Sequence, residues 1–223
     1  AAVYENGYIT IMKGTWKIRV IKVTEVPVTY GGKALHNIMN CLPAVLSTYF
    51  WRNIEIEDIK LALQTFIPSA SQTPGRLNMF QFKHFKFLVD FAHNPAGLEL
   101  LCDFISKMDG DPKVGIISGT GDRRDEDIME LGRISGRSFD EIIIRQDKNL
   151  RGRTAEEIVN LLVKGINETK PRDIPITIIY NEKEAIMHAY NTAKPGSLIT
   201  IMCDVVAEAL DLIKALKEKE DNE

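Results

Sequence analysis

Cysteine is scarce in this chain: 223 residues hold three, Cys41, Cys102 and Cys203. Each lies inside an apolar segment, and none stands in a CxxC or Cys/His spacing. A disulfide framework and a thiolate zinc site are therefore not expected, and the cysteines read as buried thiols in a reducing compartment. Long hydrophobic runs are missing too: nothing approaches the ~20 apolar residues that a membrane-spanning helix needs, and no charged-then-apolar leader opens the sequence. The expectation is a cytoplasmic protein without a membrane partner. An excess of basic charge is also lacking, since the net charge is -3 and the isoelectric point about 5.9. A general nucleic-acid field is thereby excluded, and any anion site has to be local. The opening residues AAVYENGYITI carry no initiating methionine and enter directly into a strand-like pattern, which leads us to expect a piece of a longer chain.

What is present divides in two. Residues 2 to 30 carry β-branched and aromatic runs broken by Asn6-Gly7 and Lys13-Gly14, the pattern of a small antiparallel ribbon. Apolar residues then recur at helical spacing from Lys33 to about Tyr49, and again from Glu57 to Phe66 after the break at Trp51-Arg52-Asn53. The segment PSASQTPG, residues 68 to 75, has no periodicity and is rich in turn formers, so it reads as a linker. Domains of 1–75 and 76–223 follow. Beyond the linker come a hairpin around Lys83-His84 and apolar strands alternating with amphipathic helices at 95–107, 125–138, 155–168, 182–193 and up to about 219. Strands that are apolar on both faces belong to a mostly parallel sheet covered by helices on both sides, an α/β doubly wound architecture. The tail LKEKEDNE reads as a solvated charge run.

In such a sheet ligands bind outside the carboxyl ends of the strands, so polar residues on those loops are the candidates. VDFAHNPAG has Asn94-Pro95 as a helix start, because asparagine caps free N–H groups and proline suits the first helical position. Asp90 and His93 are not needed for that, and suit ribose hydroxyls or phosphate. In SGTGDRRDED, residues 118 to 127, the pattern GxGxxR lacks the third glycine of a dinucleotide fingerprint, which disfavours a nicotinamide-binding oxidoreductase. Asp122, Arg123 and Arg124 there are left without a capping role, while the acidic residues from Asp125 onward suit a helix N-terminus. RQDKNLRGRTAEE contains a Thr154/Glu157 capping box preceded by Arg145, Lys148, Arg151 and Arg153, a local cationic group suited to a small anion. In GGKALHNIMNCLPA, Asn37 and Asn40 are three apart and share a helix face if the segment is helical.

Taken in order, GGKALHNIMNCLPA, SASQTPGRLNMF, VDFAHNPAG, SGTGDRRDEDI and RQDKNLRGRTAEEI resemble the C-terminal part of the Mur ligase family. Details such as SQTPGR look more like the branch that decorates a poly-aspartate backbone with arginine than like the peptidoglycan enzymes. The resemblance implies a Rossmann-like C-terminal domain preceded by a small α+β remnant of a central ATPase domain. It implies an ATP- and Mg²⁺-dependent ligase in which an acyl phosphate is attacked by an amino acid's amine, with an amino acid and a poly-aspartate or peptide as substrates. It leaves room for a homo-oligomer of the longer protein. Carried over by motif, Asn40 would lie near the adenine, Arg76 would reach the nucleotide, Asp90 would hold the ribose, and His93 and Asn94 would support the closed site. Asp122, Arg123, Arg145, Asp147, Arg151 and Arg153 would meet the incoming amino acid: carboxylates, Asp125 among them, for a guanidinium and basic groups for an α-carboxylate.

No GxxxxGK[ST] phosphate loop occurs in these residues, nor do the family's preceding metal-binding residues. The expectation is therefore a fragment with no catalytic residue or metal site of its own, inactive alone. The alternatives are a non-catalytic Mur-like module that binds nucleotide or peptide, and a ligase with a different amino-acid substrate.

Overall fold

The structure, a computed structural model, describes residues 1–51, 54–170 and 173–222. It divides into two compact units, Ala1–Pro68 and Ser69–Glu223. Of the expected break at Trp51-Arg52-Asn53, the last two residues lie outside the described ones.

The first unit is a three-stranded antiparallel sheet, β1 (Ala2–Glu5), β2 (Tyr8–Lys13) and β3 (Trp16–Lys22), followed by two helices, α1 (Leu35–Tyr49) and α2 (Ile56–Thr65). The hairpin β1–β2 turns through Asn6 and Gly7, both with positive φ (50° and 80°), which is the backbone that an Asn-Gly two-residue hairpin requires. Its core is formed by Ile9, Ile11, Val20 and Ile21 of the sheet against Ile38, Leu42 and Val45 of α1 and Ile59 of α2. The ribbon and the two helical periods are thus as expected.

In the second unit β4 (Asn78–Gln81) and β5 (Lys86–Asp90) form the expected hairpin, and α3 (Pro95–Ser106), β6 (Lys113–Ile117), α4 (Asp125–Ser138), β7 (Glu141–Ile144), α5 (Ala155–Thr169), β8 (Ile176–Ile178), α6 (Glu182–Thr192), β9 (Leu198–Met202) and α7 (Val206–Asn222) follow. The sheet order is β4-β5-β9-β6-β7-β8; β4 is antiparallel to β5 and all other neighbours are parallel. Side chains alternate across a strand. Phe87, Val89, Val114, Ile116, Ile199 and Ile201 pack with Ile186 of α6 and Leu210 and Ile213 of α7. The intervening Leu88, Ile117, Ile142 and Ile144 are equally buried and face the other layer, in which α4 contacts both α3 and α5. This is the mostly parallel, doubly wound α/β architecture of the Rossmann-like type.

The chain runs outward through β5, β6, β7 and β8, then returns to lay β9 between β5 and β6. The carboxyl ends of β5 and β6 consequently flank that of β9, and this reversal of winding direction is where an open α/β sheet forms its crevice. At the far end of the chain α7 continues through the charged tail to Asn222. Lys217 pairs with Glu220 and Asp221 at 3.2 and 2.5 Å, spacings that support a helix, and Glu220 also accepts from the Lys83 N–H at 2.9 Å. Only Glu223 of that tail lies outside the described residues.

Candidate functional site at the carboxyl ends of the strands

The segment expected as a linker is a bonded turn of the second unit. Asn78, at the start of β4, accepts from the Gly75 N–H at 2.7 Å and donates to the Thr73 carbonyl at 2.9 Å. Asp90, at the end of β5, accepts the Leu77 N–H at 2.9 Å through one oxygen and the Ala92 N–H at 2.8 Å through the other. The Phe91 N–H closes onto the Gly75 carbonyl at 2.9 Å. Arg76 thereby sits at the apex of the turn, exposed, with its guanidinium carbon 5.9 Å from the centre of the Phe91 ring, within the range of a cation–π contact.

The same ring meets His93 at 5.0 Å between centroids. His93 Nδ1 lies 3.0 Å from the Phe91 carbonyl; a carbonyl only accepts, so Nδ1 carries the proton, and Nε2 of the neutral ring is an acceptor. Asn94 accepts from the Gly97 N–H at 2.8 Å and caps α3, with Pro95 at the first helical position. Its side chain is spent on starting the helix. Arg76 and His93 thus share the ring of Phe91, a residue that motif reading passed over, with Asp90 and Asn94 at the two ends of the same loop. Thr120, on the loop after β6, donates to the His93 carbonyl at 3.4 Å and brings the next loop alongside.

That loop is tied to the one after β7. Arg153 donates to the Gly121 and Arg123 carbonyls at 3.0 and 2.9 Å and pairs with Asp125 at 2.7 Å, and Arg151, in the left-handed region at φ 51°, pairs with Asp122. Gly121 is obligatory there: a Cβ on it would fall 1.9 Å from the Leu150 carbonyl oxygen. Asp122, Arg123, Arg151 and Arg153 are therefore brought together. Arg123 Nε is buried without a hydrogen-bond partner among the described residues.

Arg145 stands apart from these. Its side chain is only 2% exposed. The guanidinium donates to the Met202 carbonyl through Nε and Nη2 at 3.2 and 2.5 Å and to the Gln146 carbonyl at 3.2 Å. It pairs with Asp147 at 2.7 Å and Glu182 at 3.1 Å. Asp147 also accepts from Ser118 at 2.9 Å, and Glu182 from the Asp204 N–H at 2.7 Å. Burial pushes the Glu182 carboxyl above its ordinary value, and the Arg145 charge opposes that. The network joins the loop after β7 to β9 and α6. Glu182 and Ser118 were not legible as members: an acid in a helix's first turn already satisfies local rules, and its partner is distant in sequence.

Asn40 belongs to the first unit, exposed on α1, where nearby Asn37 donates to the Val28 carbonyl at 2.8 Å. Among the described residues, no group of three or more His, Cys, Asp or Glu could hold a metal ion, and no helix is long and apolar enough to cross a membrane.

Residues 75–204 match the family described as Mur ligase, glutamate ligase domain. The chain is similar to the cyanophycin synthetase of Synechocystis sp., 41% identical over 217 residues that make up 97% of this chain and 24% of that protein. It therefore spans about a quarter of the length of that relative. In structure it is similar to E. coli FolC in complex with ADP, with a TM-score of 0.68 at 17% identity, covering 97% of this chain and 46% of that one. A bifunctional folylpolyglutamate synthase/dihydrofolate synthase with Mn, AMPPNP and L-glutamate bound gives 0.65 at 18% identity, covering 94% and 45%. These two share the fold.

Proposed function

Because the chain belongs to the Mur ligase family, with residues 75–204 as its family domain, we propose that it forms the C-terminal part of an ATP-dependent amide ligase. In this reading the enzyme joins an amino acid, arginine, to the side-chain carboxylates of a poly-aspartate substrate. The relative of the same kind, a cyanophycin synthetase, supports this substrate class. The observation that carries the reading is the group around Phe91: a guanidinium and an imidazole presented on one aromatic ring at the crevice beside β9.

That group fits the ribose and charged end of a nucleotide. ATP, when bound, would supply the phosphoryl group that turns a substrate carboxylate into an acyl phosphate. Arg76 offsets the charge of that end, Asp90 takes the ribose and fixes the turn that bears Arg76, and His93 borders the nucleotide on the capped start of α3. Phosphoryl transfer depends on positioning and charge neutralisation more than on covalent help, and these residues act in that way. With no phosphate loop among the 223 residues and no metal-binding group among the described ones, the chain fits the nucleotide without a cradle for Mg²⁺. We assign that cradle to the longer protein and read the isolated chain as inactive. Asp122, Arg123, Arg151 and Arg153 are assigned to the incoming amino acid, and Arg145 and Asp147 to holding the loop that presents them. The three cysteines are free and buried, which supports the reducing cytoplasm as its place.

The test is ligation by the full-length protein, with ATP and a poly-aspartate primer, offered arginine, lysine, aspartate or glutamate in turn. Arginine-dependent phosphate release is expected, and Asp90→Ala should lower ATP use. Release with another amino acid alone would move the substrate assignment, and an unchanged KM for ATP in the variant would remove Asp90 from the nucleotide site.

A further inference from the structure

We infer that Asn78 is a positioning residue, which acts through Arg76 by holding the turn that presents its guanidinium; the inference rests on the reading that Arg76 meets the nucleotide. Asn78 is 3% exposed and opens a β-strand, opposite Val89, where a β-branched apolar residue would suit the buried position better. Its amide spans the turn: Oδ1 accepts from the Gly75 N–H at 2.7 Å, and Nδ2 donates to the carbonyls of Thr73 at 2.9 Å and Arg76 at 3.4 Å. One side chain thus makes three of the four bonds open to it, all to the four-residue stretch that ends in Arg76.

The turn needs such a clamp. Gly75 at φ 69° and Leu77 at φ 48° place Arg76 between two left-handed residues, a conformation that a bulky side chain such as that of Leu77 rarely adopts. Gly75 has no room for a Cβ, which would stand 2.7 Å from a methyl of Val206. Backbone of this kind persists where its surroundings over-determine it. Here the Gly75 N–H is held by Asn78 and the Leu77 N–H by Asp90, so two buried side chains fix the residues on either side of Arg76. The arginine itself is exposed over Phe91. Without Asn78 the upstream half of the turn loses the side chain that ties it to the sheet, and the guanidinium loses its fixed station.

The experiment is a double-mutant cycle in the full-length enzyme, with KM for ATP and for the incoming amino acid measured separately for Asn78→Ala, Arg76→Ala and the double variant. Asn78→Ala should raise KM for ATP roughly tenfold, the order of loss that small misplacements produce, and leave KM for the amino acid unchanged. The double variant should be no worse than Arg76→Ala alone, because both changes remove one interaction. Amide exchange at Gly75 should also quicken in Asn78→Ala. Equal factors for Asn78→Ala in both backgrounds, or an unchanged KM for ATP, would overturn the inference while leaving Arg76 in the nucleotide site. An Arg76→Ala enzyme with normal KM for ATP would overturn the role of Arg76 and this inference with it. Should Asn78→Ala fail to fold, Asn78→Asp serves in the same cycle: it keeps the acceptor for Gly75, loses the donor to Thr73, and is expected to give a smaller rise that again vanishes in the Arg76→Ala background.

Discussion

Arg145 shows how far one residue's role depends on what surrounds it. In sequence it is a cation just past an apolar strand, indistinguishable from Arg151 and Arg153; in the structure it is buried where they are not, and is paired with Asp147 and Glu182. Removing one partner of a buried ion pair leaves an uncompensated charge, at a cost of about 3–5 kcal/mol. Arg145→Ala should therefore lower the urea midpoint by a corresponding amount. Without that cation the Glu182 carboxyl, already raised by burial, rises further. A raised carboxyl contributes stability while protonated and loses it as pH climbs through the folded value, so the penalty in Arg145→Ala should shrink in mild acid; a penalty that grew there would contradict the network. The buried thiols obey the same linkage. Cys102 is pushed from 9.0 to about 11 and Cys203 from 9.0 to about 12, chiefly by burial. The native protein should resist alkylation at neutral pH, and stability should fall as pH rises from the unfolded value toward those of the folded thiols. Rapid native labelling of either residue, with no alkaline loss of stability, would refute this. Asn94, by contrast, was legible, because a cap is a local event.

At the scale of elements, helices and strands were read within a residue or two, save that α7 runs on to Asn222, since amphipathic periods and caps such as Thr154/Glu157 are written in neighbouring residues. What the periods do not carry is how closely two elements approach. Helices α4 and α5 pack through glycines: a Cβ on Gly165 would lie 2.0 Å from the Met129 carbonyl oxygen, and one on Gly132 2.3 Å from that of Leu162. In an ordinary helix interior, glycine to alanine gains about 1 kcal/mol. Here the obstacle is backbone, which cannot swing aside, and overpacking of this kind costs about 1–3 kcal/mol. Gly165→Ala is thus expected to melt below the wild type, whereas a higher Tm would mean that the helices separate easily. The turn at 73–78 was hidden for a related reason: its composition reads as linker, and the bonds that hold it come from the distant Asp90 and the buried Asn78.

For the whole molecule, alternation of element types disclosed a mostly parallel sheet, but not the strand order, because nothing in the residues of β9 says that it lies between β5 and β6. Its five residues are all buried, as a central strand's must be, yet a buried strand elsewhere in the sheet would read alike. Ending the chain after α6 should therefore abolish the cooperative melt of the second unit, since β5 and β6 would be left without their shared neighbour; a truncated protein that still melted sharply would show that the two can pair directly. Synthesis from the N-terminus gives this order a further meaning. While the chain emerges from the ribosome, β5 and β6 are made before β9 and must wait, each with an edge of unpaired N–H and C=O groups open, until Leu198–Met202 arrive. The crevice between them cannot form before then, so a nascent chain is exposed to mispairing for that whole interval. A chaperone that shields strand edges would find its greatest use just before β9 appears.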